Sequence, residues 1–528
     1  MNQPSVMANR FSRVPQAEIP RSSFSRPHGY KTTFDAGELI PIFLDEALPG
    51  DTLNCKMTAF ARLATPLHPF MDNVFLNTFF FAIPYRLIWD NWEKMNGAQD
   101  NPSDSTDFLV PEMVSPAGGY LEHSLSDYFG LPTKVAGYNH NSLFHRAYNL
   151  TWNQWFRDQN LQDSLTVDKG DGPDDPANYT VQKRGKRHDY FTSALPWPQK
   201  GDSVDIPIGT SAPVAGFGTL TAADGWPAAQ GANQFRRSDG TTSTMTPATA
   251  STVGATFFFE EHPDFPNHPN LYVDLSEATA ATINQLRQAY QIQKLYERDA
   301  RGGTRYVEII LSHFGVTSPD ARLQRVEYLG GGQSPLNVNP VAQTSEAATT
   351  PQGNLAAIGT STVSGHGFNK SFPDHCLILG LVCARADLTY QQGLDRMFSR
   401  RNRWDFYWPA LSHIGEQTVL SKEIYLDGTA NDEDVFGYQE RFAEYRYKPS
   451  KITGQFRSNA ATPLDTWHLS QDFATRPVLN DEFIEEDPPI DRVIAVPSEP
   501  HFLFDAYFDL KSARPMPMYG IPGMVDHF

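Results

Sequence analysis

Two runs of this 528-residue sequence set several cations side by side. In Met397-Phe-Ser-Arg-Arg-Asn-Arg-Trp-Asp-Phe-Tyr-Trp, the side chains of Arg400, Arg401 and Arg403 are interleaved with aromatic rings. Guanidinium groups meet phosphate and rings stack on bases, which is the chemistry of a single-stranded nucleic-acid surface. The run has a second reading. Trp404, Phe406 and Trp408 alternate as core-facing residues of a strand do, leaving the arginines for salt bridges between subunits. The other run, Lys183-Arg-Gly-Lys-Arg-His, carries the charge without the rings.

Catalytic chemistry has no local signature: nucleophile-elbow, P-loop, zinc-protease and complete dinucleotide-binding patterns are all missing. His188-Asp189, Asp374-His375 and Asp526-His527 are neighbours in sequence, but adjacent residues of a strand point to opposite faces, so adjacency makes no dyad. His262 and His268 lie in the Pro-rich stretch Glu261-His-Pro-Asp-Phe-Pro-Asn-His-Pro, which has no standard metal spacing. Asp168-Lys-Gly-Asp-Gly-Pro-Asp-Asp-Pro is acidic, yet Gly170 and Gly172 occupy the positions where a calcium loop needs ligands. Cys55, Cys376 and Cys383 form no CxxC pair and read as buried thiols in a reducing compartment. No enzyme activity, cofactor or metal is expected.

The elements that would carry these residues are mostly strands. Short apolar or alternating segments recur around residues 38–44, 52–63 and 74–84, and again at Cys376-Leu-Ile-Leu-Gly-Leu-Val-Cys-Ala, Gln417-Thr-Val-Leu and His501-Phe-Leu-Phe-Asp-Ala-Tyr-Phe-Asp-Leu. Strand-rich ends around a loop-rich middle predict one β core built from the first and last thirds. Ser276 to Arg301 contains neither Gly nor Pro and predicts a helix capped by Ser276 and ended by Gly302, with Ile283, Leu286 and Tyr290 on one packing face and Leu295 close by. Between Ile206 and Thr256, 35 of 51 residues are Ala, Gly, Ser, Thr or Pro, too few large apolar side chains for an independent core. The first 31 residues hold Arg10, Arg13, Arg21, Arg26 and Lys31 against Glu18 alone, in a chain of net charge −18. They read as an extended basic arm, and any contact with DNA must be local. No apolar leader follows Met1, and the run from Val74 to Trp89 is broken by Asn77, Pro84 and Arg86, so neither export nor membrane insertion is expected.

Several long blocks carry a family resemblance. They are Asn73-Val-Phe-Leu-Asn-Thr-Phe-Phe-Phe-Ala-Ile-Pro-Tyr-Arg-Leu-Ile-Trp, Tyr328-Leu-Gly-Gly-Gly, Asn337-Val-Asn-Pro-Val-Ala-Gln-Thr-Ser, Cys383-Ala-Arg-Ala-Asp-Leu-Thr-Tyr-Gln-Gln-Gly-Leu, Phe436-Gly-Tyr-Gln-Glu-Arg, Tyr445-Arg-Tyr-Lys-Pro-Ser-Lys-Ile-Thr-Gly and Ala513-Arg-Pro-Met-Pro-Met-Tyr-Gly. In order and over nearly the whole chain, they resemble the major capsid proteins of gokushoviruses, a branch of the Microviridae. The resemblance implies a mainly β fold: an eight-stranded jelly roll of the viral-coat type with large loop and helical insertions. It implies self-assembly as a homo-oligomer into a T=1 icosahedral shell around circular single-stranded DNA, in a small tailless bacteriophage assembled in the host cytoplasm. A small basic DNA-binding virion protein and a host cell-surface receptor are the implied partners.

On that basis the expected organisation is a basic arm over 1–31 and a jelly-roll core over 32–160 and 370–528. An insertion region occupies 161–369, including a threefold protrusion over 200–275 and the helix over 276–301. Arg10, Arg13, Arg21, Arg26, Arg400, Arg401 and Arg403 are the candidate DNA contacts. Trp226, Gln230, Phe235, Arg236, Arg237 and Met245 are the candidate host-attachment residues. The rival reading is a secreted-type β-sandwich that binds or hydrolyses carbohydrate, with Asp481-Glu-Phe-Ile-Glu-Glu-Asp as its acidic candidate. A free DNA-binding protein conflicts with the net charge.

Overall fold

The computed structural model describes residues 20–201, 283–316 and 324–519, together with the backbone of six short strands between 214 and 273. Ten strands form its two main sheets. In chain order they are β1 (Ser22–Ser25), β2 (His28–Phe34), β3 (Ile40–Ala47), β4 (Thr52–Leu63), β5 (Val74–Pro84), β6 (Glu327–Pro335), β7 (Asn337–Ala342), β8 (Leu355–Ser371), β9 (Cys376–Ala386) and β10 (Phe502–Arg514). In the six-stranded sheet, β1 and β2 both pair with β10, followed by β4, β8 and β7; the four-stranded sheet runs β6, β5, β9, β3. All these pairings are antiparallel, and β10 lies along β4 from Phe502 opposite Leu63 to Ala513 opposite Thr52.

The pattern of side chains explains the two layers. In β4 every second residue, Leu53, Cys55, Met57, Ala59, Ala61 and Leu63, is buried. In β10 the buried apolar set is Phe502, Phe504, Ala506, Phe508 and Leu510, continued by buried Ser512. This period of two turns one face of the sheet to the core. Those apolar residues meet Ile42, Phe43, Leu76, Phe80, Ile378 and Val382 of the four-stranded sheet in one apolar cluster. Every residue of β9 is buried because that strand is covered on both faces. Gly380 in β9 leaves room for the rings of the strands on either side: a Cβ there would lie 2.7 Å from the Cβ of its β3 partner Phe43 and 2.9 Å from the ring of its β5 partner Phe80.

The outer face of the four-stranded sheet is covered by α1 (Leu143–Trp155), whose Leu143, Ala147, Tyr148 and Trp152 pack on Phe81, Ile83, Leu377, Leu379 and Leu381. A buried ion pair fastens the following loop to this helix: the Arg146 guanidinium donates to Asp174 at 2.7 and 2.5 Å, and Tyr179 Oη donates to the same carboxylate at 2.8 Å. A third, smaller cluster of Tyr190, Phe191, Tyr390, Val419, Ile424, Phe436 and Phe483 lies between the 187–195 segment and the long connection from β9 to β10.

Residues 199–301 form a second compact unit. It contains the two-stranded ladders Val214–Ala215 with Tyr272–Val273, Asn233–Arg236 with Thr242–Met245, and Glu261–His262 with Phe265–Pro269, and most of α2 (Ile283–Gly302).

Three sequence expectations are corrected, and a fourth falls outside the described residues. The sheets take β6, β7 and β8 from the 161–369 range assigned to insertion, because the Gly-rich 327–335 run pairs with β5 and the small-residue 355–371 run pairs with β4. Residues 22–31 are not an extended arm; β1 and β2 are held by the ladder to β10. The helix is described from Ile283, with 276–282 and the proposed Ser276 cap outside the described residues. On the face expected to pack, Tyr290 is 66% exposed and Leu295 is exposed, while Leu286 is half-buried.

Candidate nucleic-acid interface

The run from 395 to 411 lies in the connection between β9 and β10 and folds as three single turns of 3-10 helix, at Arg396–Phe398, Arg403–Asp405 and Pro409–Leu411. Polar side chains set these turns. Asp395 Oδ1 accepts from the Met397 N–H at 3.1 Å, and the Asp405 carboxylate accepts from the N–H groups of Arg401 and Asn402 at 2.8 and 2.7 Å. These backbone donors hold the Asp405 carboxyl below the usual carboxylate range. A side chain that satisfies backbone N–H groups favours a turn over a strand ladder. The alternation of Trp404, Phe406 and Trp408 is therefore not that of a core-facing strand: Trp404 is 58% exposed, and Phe406, Tyr407 and Trp408 are exposed beside it.

The three arginines separate by role. Arg400 is turned inward, its side chain 12% exposed, with Nη2 3.2 Å from Glu444 Oε1 and its guanidinium 4.3 Å above the Tyr445 ring. It is a structural ion pair inside one chain. Arg403 stays at the surface between two indoles, 5.3 Å from the Trp404 ring centre and 4.6 Å from that of Trp408. Arg401 is exposed, and its guanidinium has no partner among the described residues. Cations beside exposed rings match the combination of charge and stacking that single strands require.

Residues beyond the three sequence-derived arginines complete the site. The hairpin Glu416–Leu420 with Val435–Glu440 brings up the segment carrying Glu444 and Tyr445. Arg396, absent from the sequence-derived set, donates to Glu423 at 2.9 Å and to the Thr418 carbonyl at 2.6 Å, fixing the first turn to that hairpin. No local spacing signals this pairing, because Arg396 and Glu423 are separated by a whole loop.

The other candidates are dispersed. Arg26 makes a two-pronged contact with Asp45, at 3.0 and 2.5 Å, and donates to Ser512 Oγ. It joins β3 to β10 and is not a free DNA ligand. Arg21 is exposed near the end of β10, with Nη2 3.5 Å from the Ala513 carbonyl. Arg10 and Arg13 lie outside the described residues, as do Trp226, Gln230 and Arg237. Phe235 and Arg236 fall in one strand of the 233–245 ladder and Met245 in the other. The Lys183–His188 cluster clamps the fold: Lys183 pairs with Asp487, Lys186 donates to the Phe483 carbonyl, and Arg184 and Arg187 lie over Phe79 and Phe75.

The acidic run expected of a carbohydrate site does not converge on a groove. Asp481, Glu482 and Asp487 are exposed, whereas Glu486 is buried. Among the described residues, no group of three or more His, Cys, Asp or Glu side chains is placed to hold a metal ion. No described helix is long and apolar enough to cross a membrane. Cys55, Cys376 and Cys383 are buried free thiols, and burial pushes each up to about 12.

Comparison with known proteins agrees over the full length. A family model described as capsid protein (F protein) matches residues 12–524. The chain is 51% identical to the capsid protein VP1 of Bdellovibrio phage phiMH2K, covering 98% of both sequences. It is 46% identical to the capsid protein VP1 of Chlamydia phage 1, covering 99% of this chain and 98% of the relative. Identity to the capsid protein VP1 of Spiroplasma virus 4 is 37%, covering 99% of each.

Proposed function

The chain belongs to the capsid protein (F protein) family, a structural rather than enzymatic family, and is a component of the virion capsid; from that premise we propose that it closes into a T=1 icosahedral shell around circular single-stranded DNA. The full-length family match carries this reading. The strand orders support a jelly roll of eight principal strands, with β2, β10, β4 and β8 in one sheet and β3, β9, β5 and β6 in the other. β1 and β7 extend the first sheet.

Arg401 and Arg403, with Trp404 and Trp408, contact the packaged strand in this proposal, and Arg400 positions that surface through Glu444. A chain of net charge −18 repels both its copies and DNA. The enclosed genome therefore requires local cations, the arm residues Arg10, Arg13 and Arg21, and a small basic virion protein. The 200–275 segment forms the threefold protrusion and meets the host receptor, three copies supplying the mutual burial that its composition denies to one.

The test is the double variant Arg401→Gln with Arg403→Gln. Particles of normal size with a lower DNA-to-protein ratio are expected. An unchanged ratio and unchanged particle stability would remove these residues from the DNA contact.

A further inference from the structure

A cavity of about 370 Å³ lies immediately beside the arginine-aromatic surface. Its walls combine two chemistries. Tyr190, Tyr390, Tyr445 and Tyr447 supply rings, and six cationic side chains outnumber the three carboxylates of Asp395, Glu423 and Glu444. Three of the cations, Arg396, Arg400 and Arg446, are already paired with Glu423, Glu444 and, outside the cavity wall, Glu440. The surplus is at the mouth. Arg457 is exposed, and among the described residues its side chain donates to the Gln391 carbonyl, at 3.3 Å. Lys448, its side chain 74% exposed, shares Asp395 with Lys451 from 4.0 Å, while Lys451 holds that carboxylate at 2.8 Å.

The rings are held in place. Tyr190 Oη donates to Glu423 at 2.9 Å and Tyr390 Oη to Asp189 at 2.6 Å. Tyr445 belongs to both the cavity and the open surface: it is 50% exposed, lies under Arg400, and its hydroxyl accepts from the Tyr407 N–H at 3.4 Å. Ligand pockets typically enclose about 300–1,000 Å³. The cavity is thus sized for a small organic ligand, and its surplus of positive charge beside tyrosine rings selects an aromatic anion. Phosphate alone would leave the rings unused, and an apolar side chain would leave the cations uncompensated.

We propose that this cavity receives one nucleotide, its base against Tyr445 and Tyr447 and its phosphate at Lys448, Lys451 and Arg457. The proposal deepens, and rests on, the reading that Arg401 and Arg403 face single-stranded DNA. The nucleotide is either one unit everted from a strand crossing Trp404 and Trp408, or a free nucleoside monophosphate.

The test uses the purified full chain at low salt, with thymidine monophosphate and a thymidine decamer as probes, followed by equilibrium dialysis and fluorescence anisotropy respectively. The wild type is expected to bind both, the decamer more tightly. Lys448→Gln with Arg457→Gln, two exposed positions, should abolish monophosphate binding and weaken the decamer at least tenfold, with an unchanged far-ultraviolet spectrum. Tyr447→Phe should retain binding and Tyr447→Ala should lose it, while Arg403→Gln should weaken the decamer alone. If the Lys448/Arg457 variant binds both probes like the wild type, the cavity assignment is overturned while the surface reading stands. If monophosphate binding depends on Lys448 and Arg457 but Arg403→Gln leaves the decamer unchanged, the surface reading fails and the cavity stands. Failure of the wild type to bind either probe overturns both.

Discussion

Glu486 shows how burial without a full set of partners favours the neutral form of a carboxyl group. It is 1% exposed, one carboxylate oxygen accepts from the Ala386 N–H at 3.3 Å, and the other has no hydrogen-bond partner. Burial pushes its carboxyl up to about 7, outweighing the attraction of Arg385, Lys186 and Arg184. Between its ordinary value and 7, the folded chain holds a proton that the unfolded chain has released, so stability falls as pH rises through that window. The full effect above the window is about 3 kcal/mol. Glu486→Gln should therefore raise the thermal denaturation midpoint at pH 8 and leave it nearly unchanged at pH 5. Equal shifts at both pH values would show that the carboxyl is not held protonated. The arginines carry a different lesson. Arg400 and Arg403 have the same type and nearly the same position in sequence, but one meets Glu444 and the other, among the described residues, lies at the surface over the Trp404 and Trp408 rings. That difference is set by a hairpin some 40 residues away and cannot be read from the run itself.

At the scale of elements, strands with one buried face were legible. The alternation of Thr52–Leu63 appears in the sequence because solvent and core impose opposite demands on successive residues. β6 and β8 were not legible: Gly330, Gly331, Gly332 and the Ser- and Thr-rich 359–364 stretch have loop composition, and their ladders to β5 and β4 hold them in the sheets. The turns at 396–411 were misread because apolar alternation was visible, whereas the competing hydrogen bonds of Asp395 and Asp405 depend on geometry. In α2, the helix itself was legible from Ile283 onward, whereas the exposure of Tyr290 and Leu295 was not. If the 200–275 segment is a receptor-binding protrusion, deleting 226–250 should leave shells assembling while adsorption to host cells falls. Unchanged adsorption would assign attachment elsewhere.

At the scale of the whole molecule, the surface is that of a subunit awaiting neighbours. Phe60, Leu503 and Tyr507 stand exposed on the outer side of β4 and β10, and Tyr306, Leu311 and Phe314 stand exposed on the short helix Tyr306–Phe314. Obligate interfaces commonly bury about 2,000–5,000 Å², and apolar patches of this kind provide such area. Acidic copies must also be drawn together against their mutual repulsion, so association should strengthen as salt screens it. Electron microscopy of the purified chain, paired with sedimentation across a salt series, measures this directly. Closed shells of one diameter, with projections at the threefold positions, are the predicted result. A single slow-sedimenting species with the mass of one chain at every salt concentration would contradict the account.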